Sequence, residues 1–394
     1  MKVLISGAGI AGLALAHCLG RKGYRPIVVE KSSSLRDYGY MLGLVGTGYE
    51  VAERTNLLPA LEAVQHNPDR MVYLNPQGEE KFAVEDKALE RLEGPHELNL
   101  MRGDIERVLY ENAADAIDLR FATTIQSIDQ QDGSVRVALS DGSEEECDLV
   151  VGADGLHSQV RALTFGTEKR FVRFLGCHVA AYILDRSHVP DVASNTTYTL
   201  TEPNRSVSLV TTGDSKLVAI FMYRAEHEHR LGTVEAELRE VFAGMSWHVP
   251  FLLERCSETT DVYFDEVSQV EMPAWSSGRV VLLGDAGYAV SLIAGQGASM
   301  ALAGAYILAE ELTTTPNDVA GALERYEYHL RPKIARIQRV GRRNVGVFLP
   351  ANRFQLALRD FGIRFAGSAP AAPFASLARK FFTPSGNLYQ SRRK

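Results

Sequence analysis

Cysteine is scarce. The 394 residues include four, Cys18, Cys147, Cys177 and Cys256. They stand too far apart for a metal-binding C-x-x-C spacing and are too few for a disulfide framework in a chain this long. Reduced thiols and a cytoplasmic location are the expectation. Long apolar runs are also missing, since no stretch reaches the roughly 18 uncharged apolar residues of a membrane span. Lys2 followed by apolar and small residues looks like the start of a secretory signal, but Gly7, Gly9 and Gly12 break the run. An excess of positive charge is lacking as well. Lys plus Arg number 42 against 49 Asp plus Glu, a net charge of −7. Such a chain repels phosphate backbones, so nucleic acid is not an expected partner. There is no internal repeat, no Ser-His-Asp constellation and no metal cluster. His178, His227, His229 and His248 are scattered and read as structural or exposed histidines. The sequence says nothing of oligomeric state.

One local exception to the acidic balance lies near the C-terminus. Arg331, Lys333, Arg336, Arg339, Arg342 and Arg343 form a basic run, and the chain ends Arg392-Arg393-Lys394. A solvated helix face and a frayed tail account for it, and membrane association is not expected.

What is present is an ordinary globular composition, 45% apolar and 23% charged, at a length that suggests about two domains. Val3-Leu4-Ile5 reads as a buried strand, Ala11–Leu19 as a helix and Pro26–Glu30 as a second strand. This β-α-β unit opens a doubly wound parallel sheet. From Phe171 to Tyr223 the texture changes to β-branched, alternating strands separated by polar turns, which reads as a mixed or antiparallel sheet. The first texture returns at Arg279. The nucleotide fold is therefore expected to be interrupted, with a pocket where its pieces meet the second sheet.

Three motifs carry chemistry. Gly7-x-Gly9-x-x-Gly12 follows a strand and opens a helix, so a pyrophosphate can approach the backbone and the helix N–H groups, and Glu30 ends the next strand where a ribose-binding acid belongs. NAD and FAD both suit that unit. The second motif is strand Val280–Leu283, then Gly284-Asp285, then Gly295 and Gly297 at the start of an alanine-rich helix. Asp285 can accept from sugar-type hydroxyls, and the helix N-terminus can stabilise negative charge on a ring system. Two strand–Gly–helix devices in one chain favour a large dinucleotide. The third is Val150-Val151-Gly152-Ala153-Asp154-Gly155, with Ser158 and Arg161 beyond it, which alone reads as an Asp-Gly turn.

In order and separation these motifs resemble those of the class A (para-hydroxybenzoate hydroxylase-like) flavoprotein monooxygenases, over nearly the whole chain. Gly7/Gly9/Gly12 resembles the family's fingerprint, Asp154-Gly155 its DG motif, Gly284-Asp285 its GD motif, and Met101–Leu109 its flavin-contacting arginine segment. Leu35–Leu61 is similar to the family's segment after the fingerprint, and the texture is nearest the tetracycline-oxidising branch. The chain departs from the family at Tyr288, where many members carry His or Pro nearby.

The resemblance implies an α/β fold, with a Rossmann-like FAD-binding domain, an inserted mixed β-sheet substrate domain and C-terminal helices. The expected division is 1–75, 98–170 and 265–345 for FAD, 76–97 and 171–264 for substrate, and 346–394 for a helical end. It implies FAD held by Gly7, Gly9, Ala11 and Gly12 at the pyrophosphate, Glu30 at the ribose, and Arg102 and Asp285 at the phosphate and ribityl region. Gly295, Gly297 and Ala298 would contact the ring, and Asp154 would serve the flavin and NAD(P)H region. NAD(P)H would visit transiently, since no second Rossmann unit is visible. Family members use FAD, NAD(P)H and O₂ to oxygenate a small organic molecule. Hydroxylation of an aromatic or polycyclic substrate, such as an antibiotic or secondary metabolite, is the expectation. Tyr182, Phe221, Met222 and Tyr223 are candidates for its pocket. A halogenase is disfavoured because Trp247 and Trp275 stand alone, outside any W-x-W-x-I-P signature. A flavin-dependent reductase and a non-catalytic FAD or ligand binder are the alternatives.

Overall fold

The computed structural model describes residues 1–35, 40–66, 68–85, 88, 97–212, 215–227, 232–259 and 262–367. His229, the interior of Leu35–Leu61 at 36–39, and the Arg392-Arg393-Lys394 end lie outside the described residues.

The apolar run Val3–Ser6 is buried at every position and forms the centre of a six-stranded sheet. Its parallel neighbours are Leu149–Gly152 on one side and Ile27–Val29 on the other. Val280–Leu282 pairs in parallel with Leu149–Gly152, and Asp118–Arg120 with Ile27–Val29. Continuous apolar strands of this kind need cover on both faces. The helix Ile10–Gly20 and the alanine-rich helix Gly297–Thr314 are buried along most of their length, as helices rich in small residues can be when packed between layers. A small meander, 125–147, and a two-stranded ribbon of Met41–Val45 with Glu97–Met101 flank this body.

A seven-stranded sheet carries its own core. Its order runs from Tyr263–Val270 through Val172–Asp185, Lys216–Arg224, Arg205–Thr212, Thr196–Glu202 and Arg70–Leu74 to Glu80–Glu85. Residues 70–74 and 263–270 therefore belong to this sheet, although most of them fall on the nucleotide side of the expected boundaries at 75 and 265. Register, not composition, places them there. One face buries Tyr182, Phe221, Tyr223 and Val207 against helices Val234–Val241 and Val249–Cys256.

The long helix Val319–Phe348 and the helix Arg353–Gly367 close the fold. The basic run does not form one free stripe. Arg331 bonds Glu327 and the Met272 carbonyl, Lys333 donates to Thr47, and Arg342 donates to Gln269 and Glu271. No helix among the described residues is long and apolar enough to cross a membrane.

Candidate active site

Val3–Ser6, Leu149–Gly152 and Val280–Leu282 are neighbours, and Ser6, Gly152 and Leu282 stand level in the register. All three motifs therefore emerge at the carboxyl edge of one parallel sheet, where open α/β folds bind ligands. They also touch. A Cβ on Gly7, whose φ is +105°, would sit 2.5 Å from the Ala153 carbonyl oxygen, so the fingerprint turn is packed against the DG motif. A Cβ on Gly12 would sit 1.9 Å from the Gly7 carbonyl oxygen. Gly12 thus sets helix-to-turn contact and does not line the groove beside it.

That groove has an outer hollow of about 280 Å³ walled by Gly7, Gly9, Glu30 and Asp154. It continues into an inner hollow of about 200 Å³ walled by Gly9, Ala11, Gly295, Gly297 and Ala298. Arg102 and Asp285 line both.

Each charged group has a defined setting. Glu30 accepts from the Ala8 amide at 2.8 Å and the Ser32 amide at 2.9 Å, which fixes its carboxylate at the groove wall. Arg102 starts the helix Arg102–Ala113, and its amide donates to the Tyr40 carbonyl at 3.2 Å. Its Nε donates to the buried Glu106 carboxylate at 3.0 Å. Burial opposes the Arg102 charge, but Glu106 and the neighbouring Tyr40 oxygen raise its pKa, so it stays cationic. Asp285 opens on the groove, yet the protein around it strips away hydration and lifts its carboxyl above the usual range. Asp154 is likewise raised by burial. Its oxygens accept from the Ser158 hydroxyl at 2.5 Å and the Gln159 and Val160 amides at 2.8 and 3.1 Å, so much of its work is to cap the helix Gln159–Phe165.

These residues fit FAD. A cationic guanidinium and a glycine turn at a helix N-terminus suit a pyrophosphate. A desolvated carboxylate suits hydroxyls that would relieve it. At the inner end the Gln296 Nε2 is buried and has no partner among the described residues, between Gly295 and Gly297 at the start of Gly297–Thr314. An orphaned donor there suits a ring system with acceptor atoms.

The sequence reading missed a cluster on the groove's open side. The Tyr40 and Tyr263 rings lie 4.9 Å apart, and the Tyr263 hydroxyl donates to Asp265 at 3.0 Å. His157 stands 3.6 Å from Asp265 and 2.9 Å from Glu168. Asp265 first and Glu168 second raise the His157 pKa to about 9. Tyr40 and Tyr263 are both pushed up by burial. These residues come from three distant segments, and no spacing in the chain announces their meeting. Tyr288 instead points into the core, where its ring packs 4.5 Å from Trp275 and its hydroxyl meets that of Tyr326 at 3.1 Å.

The expected pocket surface needs correction. Side chains alternate across a strand, and Tyr182, Phe221 and Tyr223 belong to the helix-covered face. Met222 lies on the opposite face, in a cluster with Val179, Ile220, Val267 and Leu292. Val179 and Leu292 line the inner hollow. Of the candidate histidines, His178 is fully buried on the helix side of the sheet, 3.2 Å from the Tyr223 hydroxyl. His248 pairs with Asp191 at 3.1 Å.

A family model described as an FAD binding domain matches residues 1–339. A flavin-dependent monooxygenase from an unknown prokaryotic organism is 35% identical over 346 residues, covering 86% of this chain and 88% of that one. The chain belongs to this family of FAD-dependent monooxygenases. It is also 30% identical over 376 residues to the FAD-dependent monooxygenase asL6 of Sarocladium schorii, covering 88% of each. The crystal structure of tetracycline destructase Tet(55) is 32% identical, with a TM-score of 0.81 over 95% of this chain and 97% of that one. Klebsiella pneumoniae HpxO, complexed with FAD and uric acid, shares the fold with a TM-score of 0.76 at 22% identity, covering 98% of each chain. This monooxygenase is therefore an FAD-dependent oxidoreductase with NAD(P)H as co-substrate.

Proposed function

We propose that this monooxygenase hydroxylates a small aromatic or polycyclic molecule, such as an antibiotic or secondary metabolite, at the inner end of the groove. One observation carries the reading. The inner hollow is bounded by Gly295, Gly297 and Ala298 at the ring-binding helix start and by a sheet face on which Val179 and Tyr263 stand beside Asp265, Glu266 and Ser268. A planar substrate with an apolar body and polar substituents fits between two such walls. The relatives' names, which include tetracycline destructases, add support.

When bound, FAD supplies the redox chemistry that takes a hydride from NAD(P)H and passes electrons to O₂. The chain's residues bind and orient. Gly7, Gly9 and Ala11 present backbone to the pyrophosphate, Gly12 keeps that turn against its helix, and Glu30 holds the ribose. Arg102 neutralises phosphate charge, Asp285 accepts from the ribityl hydroxyls, and Asp154 keeps the DG turn in shape beside them. Val179, Leu292 and Met222 exclude water from the side where substrate lies. The nucleotide-binding unit comprises 1–75, 98–170 and 265–345 less the strands shared with the large sheet, and the protein works in the cytoplasm.

The test is to load the purified protein with FAD, remove the excess, and record its visible spectrum anaerobically before and after NADPH. Retained flavin that bleaches, followed by O₂ uptake that depends on tetracycline or a related polycycle, is the expected result. Protein that retains no flavin would overturn the site. Bleaching with a reduced, unoxygenated product would favour the reductase alternative, and tight ligand binding without NADPH oxidation would favour a binder.

A further inference from the structure

The loop Ala289–Leu292 joins the GD motif to the ring-binding helix and forms part of the inner wall. It is held from outside by two buried glutamines. Gln269, with no exposed surface, donates through Nε2 to the Val290 carbonyl at 3.0 Å and the Gln338 carbonyl at 2.9 Å. Gln338, on the long helix Val319–Phe348, donates through Nε2 to the Ala289 carbonyl at 3.0 Å and the Val270 carbonyl at 2.8 Å. Arg342, one turn further on, donates to the Gln269 Oε1 at 2.7 Å.

Simple packing does not require this. Leucine would join the helix to the loop without the cost of desolvating an amide. Amides bonded to the carbonyls of consecutive residues fix a backbone's position and orientation. The loop needs fixing, because Ser291 adopts φ +81° and ψ 151°, a conformation that a residue with a side chain rarely keeps without support. The helix also comes unusually close. A Cβ on Gly341 would lie 3.1 Å from Ser291 Oγ and 3.2 Å from both Ala294 Cβ and Gln269 Nε2. The same lattice ties in the strand Tyr263–Val270, which carries Tyr263 and Asp265 of the groove's open side.

We propose that Gln338, with Gln269 and Arg342, is a positioning residue for the flavin ring: it sets the Ala289–Val290 backbone that forms part of the wall against which the ring lies. The inference rests on the reading that FAD binds in this groove.

The test uses the full chain reconstituted with FAD. Gln338→Met keeps the side chain's length and removes both donors, and Arg342→Met removes the outer donor to Gln269 together with the ion pair to Glu271. Three readouts are compared with the unsubstituted protein: amide hydrogen exchange at 289–293, the shape of the visible flavin band, and the flavin reduction potential. For Gln338→Met, exchange at 289–293 should accelerate about thirtyfold, as loss of two net hydrogen bonds implies, with exchange in the strand Val3–Ser6 unchanged. The flavin band and potential should shift with it. Arg342→Met should move the same readouts in the same direction by a few-fold less, and it carries the test alone if Gln338→Met does not fold. The proposal is overturned if the flavin band and potential stay as in the parent, whether exchange is unchanged or rises throughout the chain. An unsubstituted protein that takes up no FAD overturns it together with the site itself, and the parent control separates that case from failure of the lattice alone.

Discussion

Gly9 and Gly12 share one motif but answer to different constraints. A Cβ on Gly12 would overlap the Gly7 carbonyl at 1.9 Å, whereas one on Gly9 would find its nearest atom, Glu106 Oε1, at 3.7 Å. Gly12→Ala should therefore destabilise the apoprotein by about 1–3 kcal/mol, the usual cost of overpacking. Gly9→Ala should leave the apoprotein's denaturation midpoint unchanged while weakening FAD binding at least tenfold, because its methyl group enters the groove. Denaturant titration of the apoproteins and flavin fluorescence titration separate the two. Equal loss of stability in both variants would show that Gly9, like Gly12, is packed against the fold and does not open on the groove. Most of the groove's residues were legible at this scale, because a glycine turn, a capping acid and a strand-end Asp each leave a local signature. Tyr40, Tyr263, Asp265 and His157 were not, since nothing in the order of residues pairs them.

At the scale of elements, the turn after Asp154-Gly155 is fastened to the strand Tyr263–Val270 through His157. The His157 pKa rises from 6.5 to about 9, through Asp265 and then Glu168. A raised folded pKa stabilises the fold fully below 6.5, and that contribution is lost as the pH climbs through about 9. Its side chain is 58% exposed, so the effect is modest and screened by salt. The stability difference between the parent and His157→Gln should shrink between pH 6.5 and 9 and be largest at low ionic strength. A difference that does not vary with pH would show that the imidazole carries no charge there. Strand alternation belongs to this scale too. The candidates Tyr182, Phe221 and Tyr223 pack under helices and Met222 lies on the opposite face, clustered with Val179 and Leu292. The apolar character of the strand was readable, but which of its faces met which layer was not.

For the whole molecule, the two sheets bury separate cores and share the groove between them. All four cysteines are buried, Cys18 and Cys147 in the first core, Cys256 in the second and Cys177 in the cluster on the opposite face of the large sheet. Burial pushes Cys18 and Cys177 up to about 12 and Cys147 and Cys256 up to about 11. Thiols so protonated and covered are poor nucleophiles. A disulfide reagent should therefore modify them only as the protein unfolds, with all reacting together in denaturant. A thiol that reacts rapidly in the native protein would show that its part of the core opens.

Local chemistry alone determined the glycine turn at a helix start and the opening of a parallel α/β sheet, since these rest on residues within a few positions of one another, where backbone sterics and helix-end hydrogen bonding act. The dinucleotide class and the family resemblance came from the order and separation of several such motifs along the chain. Only the tertiary structure decided that residues 70–74 and 263–270 join the large sheet, that Tyr40 meets Tyr263, and that Gln269 and Gln338 bond the Val290 and Ala289 carbonyls. Those contacts join segments dozens to hundreds of residues apart. Their partners are chosen by register and packing of whole layers, and neither leaves a mark in the local order of side chains.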